Sequence, residues 1–453
     1  MPERPSKTPH VPRGRAFLDS REMARNPVAV FEKYRTRLGP TFTFHFGGIR
    51  HAVVTSDPVV IEHVLRGNRN NYEKSEIQAE RMVEFQGTGL VNSHGDAWLR
   101  QRKLLARGFR PNHLARLLPI QQDVLHELMN SFDRDAKQGP VAVHQQMVRF
   151  TLRLVGKSLF GRSMRDAELE QIGDTIAAIQ AYILREVVQP YMVPWFRFGG
   201  LFEKHQQMRR DADAIVLRHI QTRLDEGGGD TDFLRLLLET PYHDTGQSMG
   251  EAQAVIESLQ LMVAGNETSS NALTWTFYLL ARHPKYVNEI RDEIASVIGG
   301  NTIDYRNLHQ LERTMRVIDE ALRLYPPFWT IDRTALDDDE IGGVHIRAGT
   351  LVMPYIYGTH RNPTHWQDVE SFDPHRFEPA RSEERHPFAY IPFGGGPRTC
   401  IGANMALMQM LMIIVAFVRK YDFALTPDVP VRMRPMMLLR PEGAVTMTFR
   451  EVA

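Results

Sequence analysis

The chain holds a single cysteine, Cys400, inside the stretch "FGGGPRTCIG" that ends at Gly402. A lone cysteine is most often a small buried apolar residue, so its chemistry depends on its neighbours. Three consecutive glycines allow the backbone to approach a flat, bulky group closely. Arg398 carries a permanent charge and five donors, which suit a carboxylate. The apolar helix predicted after Cys400 places the thiol near free N–H groups that stabilise a thiolate.

Three roles are open to this thiol: a structural residue, a nucleophile or a metal ligand. A nucleophile requires a nearby base, and the sequence has no evident Cys/His signature of that kind. An axial thiolate under an iron porphyrin fits the loop better, with the glycines against the ring, Phe393 on its proximal face and Arg398 at a propionate. Such a thiolate pushes electron density into the iron and favours O–O cleavage.

A second candidate for chemistry lies between Ser258 and Ala281, where Glu267 is the only charged residue of an apolar stretch. Buried acids are rare unless they are paired or functional. Gly265 weakens the helix locally and leaves room beside it. The Thr268 hydroxyl can bond to a preceding carbonyl and open the helix. The alternative interpretation is a polar contact between packed helices.

Paired side chains occur in two further stretches. Glu320 and Arg323 in "EALRLYPP" are three residues apart on one predicted helix face, and Arg376 follows in "FDPHRF". Trp98 and Arg102 are four residues apart, so an indole N–H and a guanidinium can bind one carboxylate. Taken singly, each of these pairs is weak evidence for a site.

Together these stretches resemble the ordered motifs of the cytochrome P450 monooxygenases. "FGGGPRTCIG" resembles their haem-binding signature, and "AGNET", from Ala264 to Thr268, resembles their oxygen-activating pattern. "EALR" and "PHRF" resemble the Glu-x-x-Arg and Pro-x-Arg-Phe motifs of that family. The segment around Trp98 resembles the family helix that binds haem propionates.

The resemblance implies haem b as the cofactor and Cys400 as the ligand of its iron. It implies further haem contacts by Trp98, Arg102, Arg333, Phe393, Arg398 and Gly402. Thr268 and Glu267 are then the catalytic residues, as a proton relay that serves oxygen activation. A buried structural triad, which holds the loop leading to the cysteine, would consist of Glu320, Arg323 and Arg376.

The substrate pocket is assigned by family position to Phe85, Ala264, Gly265, Phe328, Trp329 and Met437. The apolar and aromatic character of these segments predicts a fatty acid, a terpenoid or a steroid-like substrate. Arg81 and Arg440 offer an alternative, since either could bind a carboxylate or a sugar-like ligand.

The resemblance implies a monooxygenase that inserts one oxygen atom from dioxygen into a C–H bond. The haem domain occupies almost all of the 453 residues and there is no cysteine cluster, so a separate ferredoxin or flavodoxin, with its NAD(P)H-dependent reductase, is the expected electron donor. A hydrogen-peroxide-driven peroxygenase and a haem-thiolate sensor without turnover are the alternatives. Glu267 and Thr268 argue for dioxygen chemistry.

A basic stripe after Trp98 consists of Arg100, Lys103, Arg107 and Arg110. Their three- and four-residue spacing predicts one helical face. The stripe is interpreted either as a solvated surface or as a docking site for an acidic redox partner.

The elements that position these residues are mostly helical. Strands are predicted over residues 41–48, 49–57 and 330–352 and in the tail 422–449, and helical periodicity dominates between them. The fold class is therefore mainly α with small β-sheets (α+β). The resemblance implies a single large P450-type domain over residues 21–453, after a polar segment 1–20, with haem between the Ala264/Thr268 helix and the Cys400 loop and helix.

Composition narrows the partners and the location. The net charge of +1 gives no reason to expect nucleic acid, and one cysteine suits a reducing cytoplasm. The N-terminus is polar and Pro-rich, without the features of a signal peptide or membrane anchor. Residues 399–418 are uncharged and long enough to span a bilayer, but a helix buried in a large core is the favoured interpretation. A protein of the cytoplasm is expected.

Overall fold

The computed structural model describes residues 8–76, 82–161, 164–188, 192–226, 233–427 and 430–452. Its helices are α1 Arg13–Leu18, α2 Ser20–Arg25, α3 Pro27–Leu38, α4 Pro58–Glu62, α5 Val83–Gln86, α6 Gly95–Leu105, α7 Pro111–Gln138, α8 Val143–Phe160, α9 Asp166–Val188, α10 Val193–Phe198, α11 Leu201–Glu226, α12 Phe233–Glu239, α13 Glu251–Arg282, α14 Pro284–Val297, α15 Tyr305–Leu308, α16 Glu312–Leu324, α17 Ile356–Thr359, α18 Pro379–Ser382 and α19 Ala403–Lys420. Proline at the first position of α3, α7 and α14 suits a helix start, where its missing N–H is not needed.

The strands are β1 Thr41–Phe46, β2 Arg50–Thr55, β3 Tyr72–Glu73, β4 Val141–Ala142, β5 Arg333–Ala335, β6 Asp339–Ile341, β7 Val344–Ile346, β8 Leu351–Pro354, β9 Tyr421–Leu425, β10 Arg432–Pro435, β11 Leu439–Glu442 and β12 Thr446–Glu451. The largest sheet has the order β1-β2-β8-β5-β3, with β2 and β8 parallel. A second sheet has the order β4-β12-β9, and β6–β7 and β10–β11 are two-stranded ribbons.

Alternation along β1 determines how the N-terminal sheet packs. Phenylalanine at every second position places Phe42, Phe44 and Phe46 on one face of the strand. All three rings pack edge-on against Phe31 of α3, with centroid distances of 6.0 to 6.3 Å. The predicted strand pair is confirmed, and its apolar face packs on α3 in a cluster separate from the main helical core.

Helix α13 crosses the middle of the helical core and packs against α8, α11, α16 and α19. A Cβ atom at Gly265 would lie only 2.9 Å from Val155 Cγ2 of α8. Glycine at this position therefore allows α8 and α13 to pack closely. The contact gives Gly265 a helix-packing role, while the sequence had placed it in the substrate pocket.

Helix α19 is apolar and long enough to cross a membrane, and 61% of it is buried inside the protein. It packs against α13, α14 and α16, and Met412, Ile413 and Ile414 are fully buried. Burial in the core accounts for its composition. The predicted fold class, mainly α with small sheets, is confirmed.

Candidate active site

The loop before α19 has a fixed backbone. The Cys400 N–H donates to the Phe393 carbonyl at 2.9 Å, and Gly394 and Gly396 have φ of 73° and 69°, which favours glycine. A Cβ atom at Gly396 would overlap the carbonyl oxygen of Leu65. This close approach accounts for glycine at position 396, and the contact of the loop glycines with a flat cofactor stays a prediction.

The Cys400 thiol opens into the interior of the protein. The residue is accessible, yet protein atoms surround it and burial raises the pKa of the thiol. The Gly402 N–H and the Arg102 charge act in the opposite direction and favour the thiolate. Ala264 is likewise exposed, although α13 is buried on both sides of it. Because α13 and α19 pack together, we infer that the two accessible positions face an internal space between these elements.

Arg398 is held from two sides beside this space. Its guanidinium lies 4.4 Å from the centre of the Trp98 ring, and its Nη2 donates to the Ser93 carbonyl at 2.9 Å. Its Nη1 and the Nδ1 of His94 are buried and have no hydrogen-bond partner among the described residues. Buried polar atoms are rarely left unpaired, so these two point to a bound polar group.

Further cations surround Arg398. Burial, followed by the charges of Arg398 and Arg333, lowers the pKa of Lys74 to about 7. Burial and the Arg333 charge lower the pKa of Arg398 to about 10, and burial lowers the pKa of Arg333. An anion among them would favour their charged forms. The carboxylates of a haem b molecule are anions of this kind, so the basic residues around Arg398 fit that cofactor.

Trp98 stacks with Arg398, and the Arg102 charge acts on Cys400. The contacts of Trp98 and Arg102 with the haem carboxylates stay predictions. Lys74 and His94 were missed by sequence reasoning. Lys74 follows a two-residue strand and donates to the Val91 carbonyl, an environment that only long-range packing creates.

The polar segment of α13 has the predicted contact. The Thr268 hydroxyl donates to the Ala264 carbonyl at 2.6 Å, but the helix stays continuous and is not opened. Burial raises the pKa of the neighbouring Glu267, and Arg440 and Gln180 oppose this shift. Arg440 Nη1 lies 3.9 Å from Glu267 Oε1, so this arginine faces the acid.

The remaining pocket candidates divide into accessible and buried side chains. Phe328 and Met437 are 44% and 36% exposed, as a pocket lining requires. Phe85 is buried, with its ring 5.4 Å from those of Tyr182 and Phe202. Trp329 is also buried, and its indole N–H donates to the Met436 carbonyl at 2.9 Å. Trp329 thus belongs to the cluster of the N-terminal sheet, and Arg81 lies outside the described residues.

The predicted triad is brought together and buried. Arg323 Nε and Nη2 donate to the two oxygens of Glu320 at 2.6 and 2.8 Å, and Arg376 Nε donates to Oε1 at 3.0 Å. The Asp373 N–H donates to the same oxygen at 2.9 Å. Glu320 and Arg323 are inaccessible and Arg376 is 4% exposed, so the carboxylate sits in a closed network.

His360 connects this triad to the cysteine loop. Its carbonyl accepts from Arg323 Nη1 at 3.0 Å, and its Nε2 accepts from the Ile391 N–H at 2.9 Å. Burial lowers its pKa to about 3, which keeps the ring neutral and able to accept. His360 is fully buried, and sequence reasoning did not identify this connecting role.

Comparison with known proteins agrees with this arrangement. The family model described as "Cytochrome P450" matches residues 5–449. The chain is 28% identical to "Protein LUTEIN DEFICIENT 5, chloroplastic" of Arabidopsis thaliana over 93% of this chain and 73% of that protein. It is 31% identical to "Putative cytochrome P450 132" of Mycobacterium tuberculosis over 87% of each. The crystal structure of the cytochrome P450DA haem domain superposes with a TM-score of 0.89 at 23% identity, covering 99% of this chain and 98% of that one. The chain therefore belongs to the cytochrome P450 family of haem-dependent monooxygenases.

Proposed function

We propose that the protein inserts one oxygen atom from dioxygen into a C–H bond of a mainly hydrophobic small molecule, such as a fatty acid, a terpenoid or a steroid-like compound. Bound haem b supplies the redox chemistry of this reaction. The observation that carries the proposal is the adjacency of Thr268 and half-buried Glu267 on α13, one turn from accessible Ala264. Cys400 lies on the neighbouring loop and is the proposed iron ligand.

The chain's own residues have separate tasks in this proposal. Arg398, Arg333, Lys74 and His94 hold the cofactor's carboxylates. The Thr268 hydroxyl donates its hydrogen bond to the Ala264 carbonyl oxygen, 2.6 Å away. Its hydroxyl oxygen can therefore accept a hydrogen bond and orient dioxygen. Because burial raises the pKa of Glu267, this acid holds and releases protons closer to neutral pH than an exposed glutamate.

Thr268→Ala is expected to retain haem and to lower the share of electrons recovered as product by about a hundredfold, the lower end of the usual range for loss of proton-transfer catalysis. The missing electrons should appear as hydrogen peroxide. The measurement compares NAD(P)H consumed, peroxide and product for a substrate that wild type couples well. Thr276→Ala is the matched control, since Thr276 bonds to Ala272 in the same helix and is buried. Unchanged coupling in Thr268→Ala would remove Thr268 from the relay.

Arg440→Gln is expected to change the pH profile of coupling. The Arg440 charge holds the pKa of Glu267 down against burial, so its loss raises that pKa further and the acidic limb of the profile moves to higher pH. The profile of Arg450→Gln, a change at an exposed arginine on β12, should match wild type. If Arg440→Gln also matches wild type, Arg440 does not tune the acid.

We propose a separate ferredoxin or flavodoxin, with its NAD(P)H-dependent reductase, as the electron donor. The basic stripe supports this only in part, because α6 ends at Leu105 and the stripe does not share one helix face. Arg100 Nε contacts Asp244 at 2.8 Å, and Lys103 contacts His243 at 2.9 Å. Arg107 and Arg110 are exposed and are the better candidates for contact with an acidic partner.

A cytoplasmic location is part of the same proposal. It is supported by the single cysteine, which suits a reducing compartment, and by the burial of α19 in the core.

A further inference from the structure

A cavity of about 990 Å³ lies beside the β10–β11 ribbon, between the loop that joins α2 to α3 and the end of α9. Its charged lining residues are Arg25, Arg185, Arg432, Arg434 and Glu442. Four arginines against one glutamate leave three excess positive charges at one cavity, in a chain whose total net charge is +1. Positive charge of this density in a concave site attracts anions.

Of the arginines on the ribbon, Arg432 lies directly opposite Glu442, whereas Arg434 has no acid opposite it. Arg434 and Arg440 are directly opposite across the two strands, and like charges in that position destabilise a strand pair. Arg440 has Glu267 at 3.9 Å. Among the described residues, Arg432 and Arg434 have no carboxylate within ion-pair distance, and both are exposed in the cavity wall. An anionic ligand would offset the repulsion that the ribbon tolerates.

The inner wall of the cavity is apolar. Trp275 and Tyr325 are stacked there, with ring centroids 4.0 Å apart and planes 4° from parallel. Met433 and Met436 complete this surface. A wall of aromatic and methionine side chains beneath an arginine rim suits a molecule with an apolar body and an anionic end.

The ribbon leads from this rim toward the proposed substrate pocket. Met437, at the turn between β10 and β11, is 36% exposed, and the Leu439 N–H donates to the Pro327 carbonyl beside accessible Phe328 at 2.8 Å. Met437 is three residues from Arg434, a distance on the order of 10 Å for an extended strand. An elongated molecule can span that distance with its anionic end at the arginines.

We propose that this cavity binds the carboxylate of an apolar carboxylic acid, with the guanidiniums of Arg432 and Arg434 as its principal partners. The inference rests on the proposed monooxygenase function and narrows its substrates to acids, held by the carboxylate at a distance from the reacting carbon. Guanidinium and carboxylate match in geometry and form paired hydrogen bonds. The apolar body lies along Trp275 and Met436 toward Met437.

The test is calorimetric titration of the haem-loaded protein with decanoate and, separately, with decan-1-ol. Wild type is expected to bind decanoate about tenfold more tightly than the alcohol. This ratio corresponds to the net binding free energy of one hydrogen bond to a charged group. That preference should shrink as ionic strength rises. The double variant Arg432→Gln/Arg434→Gln should bind the two molecules equally, whereas the exposed control Arg450→Gln should retain the preference.

Two results overturn the inference: equal affinities of wild type for acid and alcohol, or an acid preference that the double variant retains. Both substituted side chains are exposed, so the double variant is expected to fold, and its circular dichroism spectrum checks this. The carbon monoxide spectrum of the reduced protein separates the two proposals. A protein with the thiolate band but without acid preference contradicts the cavity site alone, and one without that band contradicts the proposed function.

Discussion

Glu320→Gln is expected to lower the free energy of unfolding by about 3–5 kcal/mol, the usual cost of removing one partner from a buried charge network. Glu320 accepts from Arg323, Arg376 and the Asp373 N–H. A neutral amide leaves two buried guanidiniums without a counter-charge and turns an NH2 group toward donors. The loop that ends at Cys400 is then released, so haem is also expected to dissociate faster.

Urea unfolding followed by circular dichroism measures this loss. Glu312→Gln is the matched control, because Glu312 is on the same helix and pairs with Arg316 while its side chain is 71% exposed; its effect should stay within about 1 kcal/mol. Arg376→Lys supplies a second measurement if Glu320→Gln does not accumulate. It keeps the charge but cannot reproduce the bonds of Arg376 to the Gln367 and Asp368 carbonyls, so an intermediate loss is expected. A loss for Glu320→Gln no larger than that of Glu312→Gln would contradict the structural role of the triad.

The helical fold could be predicted from the sequence because its signals are local, whereas the triad was predicted from the family resemblance, since Arg376 lies far along the chain from Glu320 and Arg323. Glu320 and Arg323 are neighbours on one helix, and the apolar periodicity of long segments predicts helices directly. The alternating phenylalanines of β1 are local in the same sense.

The other contacts of the site depend on packing between segments that are far apart in the sequence, so no short motif indicates them. Lys74 and His94 come to Arg398 from positions about three hundred residues earlier in the chain. His360 gains its role only when Ile391 and Arg323 meet on opposite sides of it. The hydrogen bond from the Trp329 indole to the Met436 carbonyl also depends on a partner that is distant in the sequence.

Cys400→Ser is expected to abolish monooxygenase turnover, since a serine hydroxyl cannot supply the electron donation of a thiolate. The fold should survive, because the Cys400 side chain is accessible and the loop is held by the bond from the Cys400 N–H to the Phe393 carbonyl, which serine can keep. Haem should still bind through the cations around Arg398, with altered ligation. Product formation by wild type and variant, at equal haem content and with the same electron donor, measures the loss.

The most direct test of thiolate ligation by Cys400 is the absorption spectrum of the reduced protein under carbon monoxide. Wild type should give the long-wavelength band diagnostic of a thiolate ligand, and Cys400→Ser should lose that band while keeping bound haem. A Cys400→Ser protein that keeps the band, or a haem-loaded wild type that lacks it, would contradict the assignment of Cys400 as the iron ligand.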